Sequence, residues 1–159
     1  MSRGIAAWFS IVLSLAGLAC VDTSGRATLT DRNISEFTVV ALPVLLRDCG
    51  FQACHGSQER IFRIYGQGRA RLDPATEPLD ELTGLEQQLS LQYAEGMVDP
   101  VDPKQSLLLL KPLAVEAGGM GHEGVDKYGR DVYRAPDDDG FLTLQRWIIS
   151  YAPQMAAAQ

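Results

Sequence analysis

Two thiols and an imidazole fall within one short stretch, CGFQACHG at positions 49–56. The whole chain holds three cysteines and two histidines, so most of its soft-ligand and redox chemistry is concentrated here. Cys49 and Cys54 can close a small disulfide loop if the protein is exported. With His55 and His122 they also make up a four-ligand set for zinc, although adjacent residues seldom supply two ligands to one closed tetrahedral site. The placement of Cys54 directly before His55 allows a third chemistry, and which one applies depends first on the compartment.

The N-terminus addresses the compartment. MSRGIAAWFSIVLSLAGLAC opens on Arg3, runs through an apolar stretch from Ile5 to Leu15 and reaches small residues at Gly17 and Ala19. This is the layout of a secretory signal over residues 1–19. It is short for a membrane span, which needs about 20 apolar residues. Gly17 and Ala19 satisfy a small-x-small rule for ordinary cleavage after Ala19. The end of the segment, LAGLAC, resembles the lipobox of bacterial lipoproteins, which implies lipidation of Cys20 and a membrane anchor. Lipidation would also occupy the odd third cysteine. The expected organisation is then a tether over 20–33, a domain over 34–152 and a disordered tail over 153–159.

A chain of 159 residues that is 46% hydrophobic accommodates one domain with an ordinary core. Apolar residues at Phe37, Val40, Ala41, Val44 and Leu45 have near-helical spacing, with Ser35 as cap and Glu36 in the first turn. Pro43 should kink that helix or start a shorter one leading into the cysteines. Residues 57–80 hold no sustained period, although Ile61, Phe62, Ile64 and Tyr65 could form a short helix or strand. A second helix is expected over about 81–94, with Leu82, Leu85, Leu89 and Tyr93 on one stripe. SLLLLK, bounded by Pro103 and Pro112, is a short buried element. The following loop, VEAGGMGHEGVDKYGRDVYRAPDDDG, contains six of the 15 glycines. A last helix over about 138–150 presents Phe141, Leu144, Trp147, Ile148 and Tyr151 as an apolar face. Its acidic start, Asp137 to Asp139, suits the helix dipole.

Covalent haem attachment needs two thiols to form thioethers on the porphyrin edge, and an imidazole directly after the second thiol to reach the iron. Cys54 and His55 meet the adjacency requirement. The gap between the cysteines is four residues where two are usual. Both sulfurs can still reach the haem if the extra backbone bulges outward, and Gly50 would ease that turn.

The order VLLRDCGFQACHG, DPVDPKQSLLLLKPL, GGMGHEG and FLTLQRWI resembles the cytochrome c-like domains of exported proteins from environmental Gram-negative bacteria, over about residues 37–150. The resemblance implies a mostly α fold with long irregular loops and one covalent haem c on Cys49 and Cys54. His55 would be the proximal iron ligand. The second axial ligand would come from the glycine loop, as His122 in an H-x-G context, with Met120 second. Met97 is a further sulfur in the chain. Bis-histidine ligation implies a lower potential than His/Met ligation.

These features point to an exported carrier of single electrons between periplasmic or membrane redox partners, with no enzymatic activity. Ser106 lacks a Gly-x-Ser-x-Gly context, and the two histidines are both claimed by the iron. A net charge of −6 without a Lys/Arg run excludes nucleic acid as a partner class. Two alternatives stand beside the carrier. One is a haem-free exported lipoprotein with a Cys49–Cys54 disulfide, acting as a binding or assembly subunit. The other is a haem sensor with an open distal site.

Overall fold

In the computed structural model the described residues are 31–76, 80–122 and 131–157. The expected leader, Cys20 and the tether up to residue 30 lie outside them. The described part of the chain is helical. It has two isolated β-bridges, Tyr65 with Ala70 and Leu113 with Tyr133, and no strand. None of its helices is long and apolar enough to cross a membrane.

The first helix starts earlier than Ser35. α1 spans Asp31–Glu36, so the last residues assigned to the tether are already helical and Ser35 lies inside a turn. It runs directly into a π-helical turn, Phe37–Ala41, and then into α2, Leu42–Asp48. Pro43 explains the sequence of types. It cannot donate to the carbonyl four residues back, and its ring crowds that carbonyl. The preceding turn widens, and the Leu42 N–H bonds to Phe37 O across five residues. The helix therefore passes through the proline and still delivers Cys49 at its end.

α3 spans Gly84–Glu95 and begins with a capping box. Thr83 Oγ1 accepts from the Glu86 N–H, and the Glu86 carboxylate accepts from the Thr83 N–H. The expected stripe is turned to the core only in part, with Leu82 packed against it and Leu89 and Tyr93 half-buried. Leu85 is 52% exposed, whereas Glu86, Ser90, Leu91 and Ala94 are buried. The reason is the neighbour, since Glu86 and Ser90 bond to polar groups of an irregular strap, residues 57–72.

Arg71 and Glu86 form a bidentate pair inside the protein, Nε to Oε1 at 3.0 Å and Nη2 to Oε2 at 3.2 Å. Arg71 also donates to the carbonyls of Asp80 and Glu81, and Glu86 accepts from the Leu72 N–H. Every charged edge is thus matched, as a buried pair requires. Four residues further along α3, Ser90 Oγ accepts from the Tyr65 N–H at 3.1 Å. The strap is neither helix nor strand. It is loop held to α3 at two places.

The SLLLLK element forms as expected, a 3₁₀ turn at Pro103–Gln105 followed by α4, Leu107–Leu110, with Leu108 and Leu109 buried. Ser106 is structural, accepting from the Asp99 N–H and donating to Pro103 O. α5 spans Asp139–Ala157. It continues through Pro153, so the tail expected from 153 is helical as far as Ala157. Its face Phe141, Leu144, Trp147, Ile148 and Tyr151 is buried as read from the spacing. Trp147 lies 5.5 Å from Phe37 and stacks on Tyr151 at 5.1 Å between centroids, which joins the last helix to the π-turn of the first. Tyr133 donates to Asp48 Oδ2 at 2.9 Å and adds a tie at the end of α2.

Burial alone would raise the Glu86 carboxyl. The Arg71 guanidinium and the Leu72 and Thr83 donors outweigh it and hold the pKa down to about 2. Since this lies below the ordinary 4.5, the stabilisation is complete above about pH 4.5 and is lost as pH falls toward 2. Urea unfolding followed by circular dichroism should show the midpoint falling through that window. Glu86→Gln should flatten this dependence and cost about 3–5 kcal/mol at neutral pH, because Arg71 is left buried and unpaired.

Candidate functional site

Cys49 closes α2, its N–H bonded to Leu45 O at 2.9 Å. The chain then folds back on itself, with Cys54 N to Phe51 O at 2.8 Å, Gly56 N to Phe51 O at 2.9 Å and His55 N to Cys49 O at 3.0 Å. This closure brings Gly56 against Gly50. A Cβ on Gly56 would sit 2.1 Å from Gly50 O, so no side chain fits there. Phe51 and Gln52 are consequently turned out to solvent, and Ala53, also exposed, lies at the cavity that both cysteines line. The extra residues between the cysteines form a closed outward turn.

Both faces of His55 are set by the strap. Its carbonyl accepts from the Ile64 N–H at 2.7 Å, and the next carbonyl, of Gly56, accepts from the Ala70 N–H at 2.7 Å. The ring packs edge-on against Phe62 at 4.6 Å, and Nδ1 lies 2.9 Å from Phe62 O. A carbonyl only accepts, so Nδ1 carries the proton and donates it there. Burial lowers the His55 pKa, opposed by the Phe62 carbonyl and assisted by the positive fields of His122 and Arg60. His55 is therefore neutral at neutral pH, with its lone pair on Nε2. That is the tautomer of a metal-ligating histidine with a backbone partner behind it.

Cys49, Cys54 and His55 line one cavity of about 910 Å³. This is at the upper end of the roughly 300–1,000 Å³ of small-molecule pockets. Phe62, Leu107, Leu108 and Val132 give the cavity apolar walls, and Arg60 and Lys111 are its basic residues. His122 lines it too. The His122 loop is packed down on the end of α4, with Met120 N on Leu110 O and Gly119 N on Ala114 O, each at 2.9 Å. Gly119 approaches Leu113 O so closely that a Cβ would lie 1.9 Å from it.

The two imidazoles are separated by 5.9 Å between centroids at an interplanar angle of 50°. Two imidazole nitrogens each about 2 Å from a shared metal place their ring centroids roughly 6 Å apart. The observed spacing fits one iron between the rings, with both thiols on the same cavity. Two imidazoles and two thiols on one cavity are the residue types that a covalently held haem would use.

Other assignments sort differently. Cys49 and Cys54 are both free thiols, the form from which either a disulfide or a pair of thioethers would be made. Among the described residues no three His, Cys, Asp or Glu side chains gather to hold a metal ion, so the four-residue zinc set is not assembled. A porphyrin iron asks only two ligands of the protein, and that finding does not bear on it. Met120 is 56% exposed and is not among the cavity residues, whereas Met97 is. The Phe62 carbonyl escaped the sequence reading altogether, because a backbone acceptor has no residue signature.

Comparison with protein-family models, curated proteins and solved structures returns no match to this chain.

The two thiols differ in accessibility. Cys49 is buried and its pKa is pushed up by that burial, from 9.0 to about 12, with the neighbouring Asp48 acting in the same direction. This makes its thiolate about a thousandfold scarcer at neutral pH. Cys54 is half-buried. In the folded haem-free protein, iodoacetamide followed by peptide mapping should label Cys54 first and Cys49 only on unfolding. Equal native rates at the two positions would contradict this burial.

Proposed function

We propose that the protein is an exported monohaem c-type cytochrome of the cytochrome c-like class, carrying single electrons between periplasmic or membrane redox partners. The observation that supports it best is the 5.9 Å pairing of His55 with His122 on a cavity that both Cys49 and Cys54 also line. In this reading Cys49 and Cys54 form thioethers, His55 is the proximal ligand and His122 the distal one. The haem supplies one-electron iron chemistry when bound. The chain supplies the rest.

Burial favours the neutral form of His55, and Phe62 O orients the ring by holding the Nδ1 proton. Both cysteines line the cavity while Phe51 and Gln52 point outward, so attachment through two thioethers is the expected outcome. Ligation by two histidines would favour a lower potential than a His/Met pair would. Lipidation at Cys20 would hold the domain at a membrane surface, close to membrane-bound donors or acceptors.

Expression with its leader in a host able to mature c-type cytochromes tests this directly. The purified protein should retain haem stain after denaturing electrophoresis and give a low-spin reduced-minus-oxidised spectrum. His122→Ala should convert the low-spin iron to a high-spin or ligand-exchanged form, and Met120→Ala should leave it unchanged. Absence of covalent haem in such a host would overturn the cytochrome reading. An unaltered low-spin spectrum in His122→Ala would remove His122 from the ligand set.

A further inference from the structure

The strap that orients His55 has no regular secondary structure of its own, yet it places one carbonyl on one ring nitrogen. Its attachment to α3 explains how. Tyr65, three residues beyond Phe62, donates its N–H to Ser90 Oγ at 3.1 Å, and Ser90 is fully buried. Ile64, between them, donates to His55 O. At the far end of the strap Arg71 is locked to Glu86, one helical turn before Ser90 on the same helix face. Within the strap, Gln58 donates to Arg71 O and Arg63 donates to Gln58 Oε1. The chain from α3 to the imidazole is thus continuous in hydrogen bonds and backbone.

We infer that Ser90 and the Arg71–Glu86 pair are positioning residues for His55. By fixing residues 62–72 on α3 they keep Phe62 O on Nδ1, and so select the tautomer whose lone pair is on Nε2. The Ser90 hydroxyl acts through the Tyr65 amide, and the ion pair acts through Leu72 and the strap's far end. None of the three touches the cavity. A donor–acceptor bond at Nδ1 raises the basicity of the ligating nitrogen and favours the oxidised metal, so loosening the strap raises the reduction potential of an iron held there. Only this electrochemical consequence rests on the cytochrome reading. The tautomer consequence belongs to the protein without haem.

The test therefore has two arms. In the haem-free protein, nitrogen-15 NMR of the imidazole reports the His55 tautomer, and amide exchange reports Ile64 and Tyr65. Ser90→Ala should mix the Nδ1–H and Nε2–H forms and speed exchange at both amides by about tenfold, as expected for one lost hydrogen bond. Glu86→Gln should change both readouts in the same direction and further. Ile148→Val, a core truncation in α5, controls for simple loss of stability and should leave the tautomer unchanged. In the haem-loaded protein, Ser90→Ala should raise the potential and Ile148→Val should not. A wild-type tautomer in Ser90→Ala would overturn the inference, as would the same shift in Ile148→Val. Should Glu86→Gln fail to fold, Ser90→Ala decides alone. If no haem is bound at all, the cytochrome reading fails and the NMR arm still decides this one.

Discussion

The buried pair between Arg71 and Glu86 is the contact on which the rest of this structure depends. Taking two charges from water is costly, and the cost is offset only when every donor and acceptor is matched. Here Arg71 bridges to the carbonyls of Asp80 and Glu81 while Glu86 collects the amides of Leu72 and Thr83. One ion pair thereby sets where a long irregular segment ends and where α3 begins. Without it the strap would lose its anchor at the start of that helix and keep the bond to Ser90 further along.

A domain with so little regular structure between its first and last helices needs such anchors. The π-turn, α2 and α5 assemble by burial, through Phe37, Trp147 and Tyr151 and the leucines around them. The loops instead rely on specific bonds. The cysteine turn closes on Phe51 O, the His122 loop closes on the end of α4, and each needs a glycine where backbone meets backbone. The candidate site lies where these loops converge, with a hydrophobic frame beneath it and hydrogen-bonded loops around it.

Some of this could be read in the sequence and some could not. The α5 face was legible because Phe141, Leu144, Trp147, Ile148 and Tyr151 repeat at helical spacing against an apolar neighbour. The α3 face departs from its spacing for the complementary reason. Its leucines also repeat at helical spacing, but the strap offers polar partners beside the apolar core, so Glu86 and Ser90 turn inward with Leu91 and Ala94 and Leu85 is left outside. Pro43 was read as a kink or a start. A widened π turn accommodates it, an option that hydrophobic periodicity does not reveal.

The sequence by itself determined which chemistry is available: two thiols, an adjacent imidazole and a second imidazole in a glycine loop, in an order that limits what they could hold together. Covalent neighbours stay neighbours in any fold, so Cys54 and His55 needed no structure to be placed side by side. Only the tertiary structure decided that His122 and Met97 line the same cavity as Cys49 while Met120 does not. It also decided that Phe62 presents its carbonyl to Nδ1. Those pairings join residues far apart in the chain or use backbone atoms that every residue shares. Long-range packing, rather than any local pattern, therefore selects them.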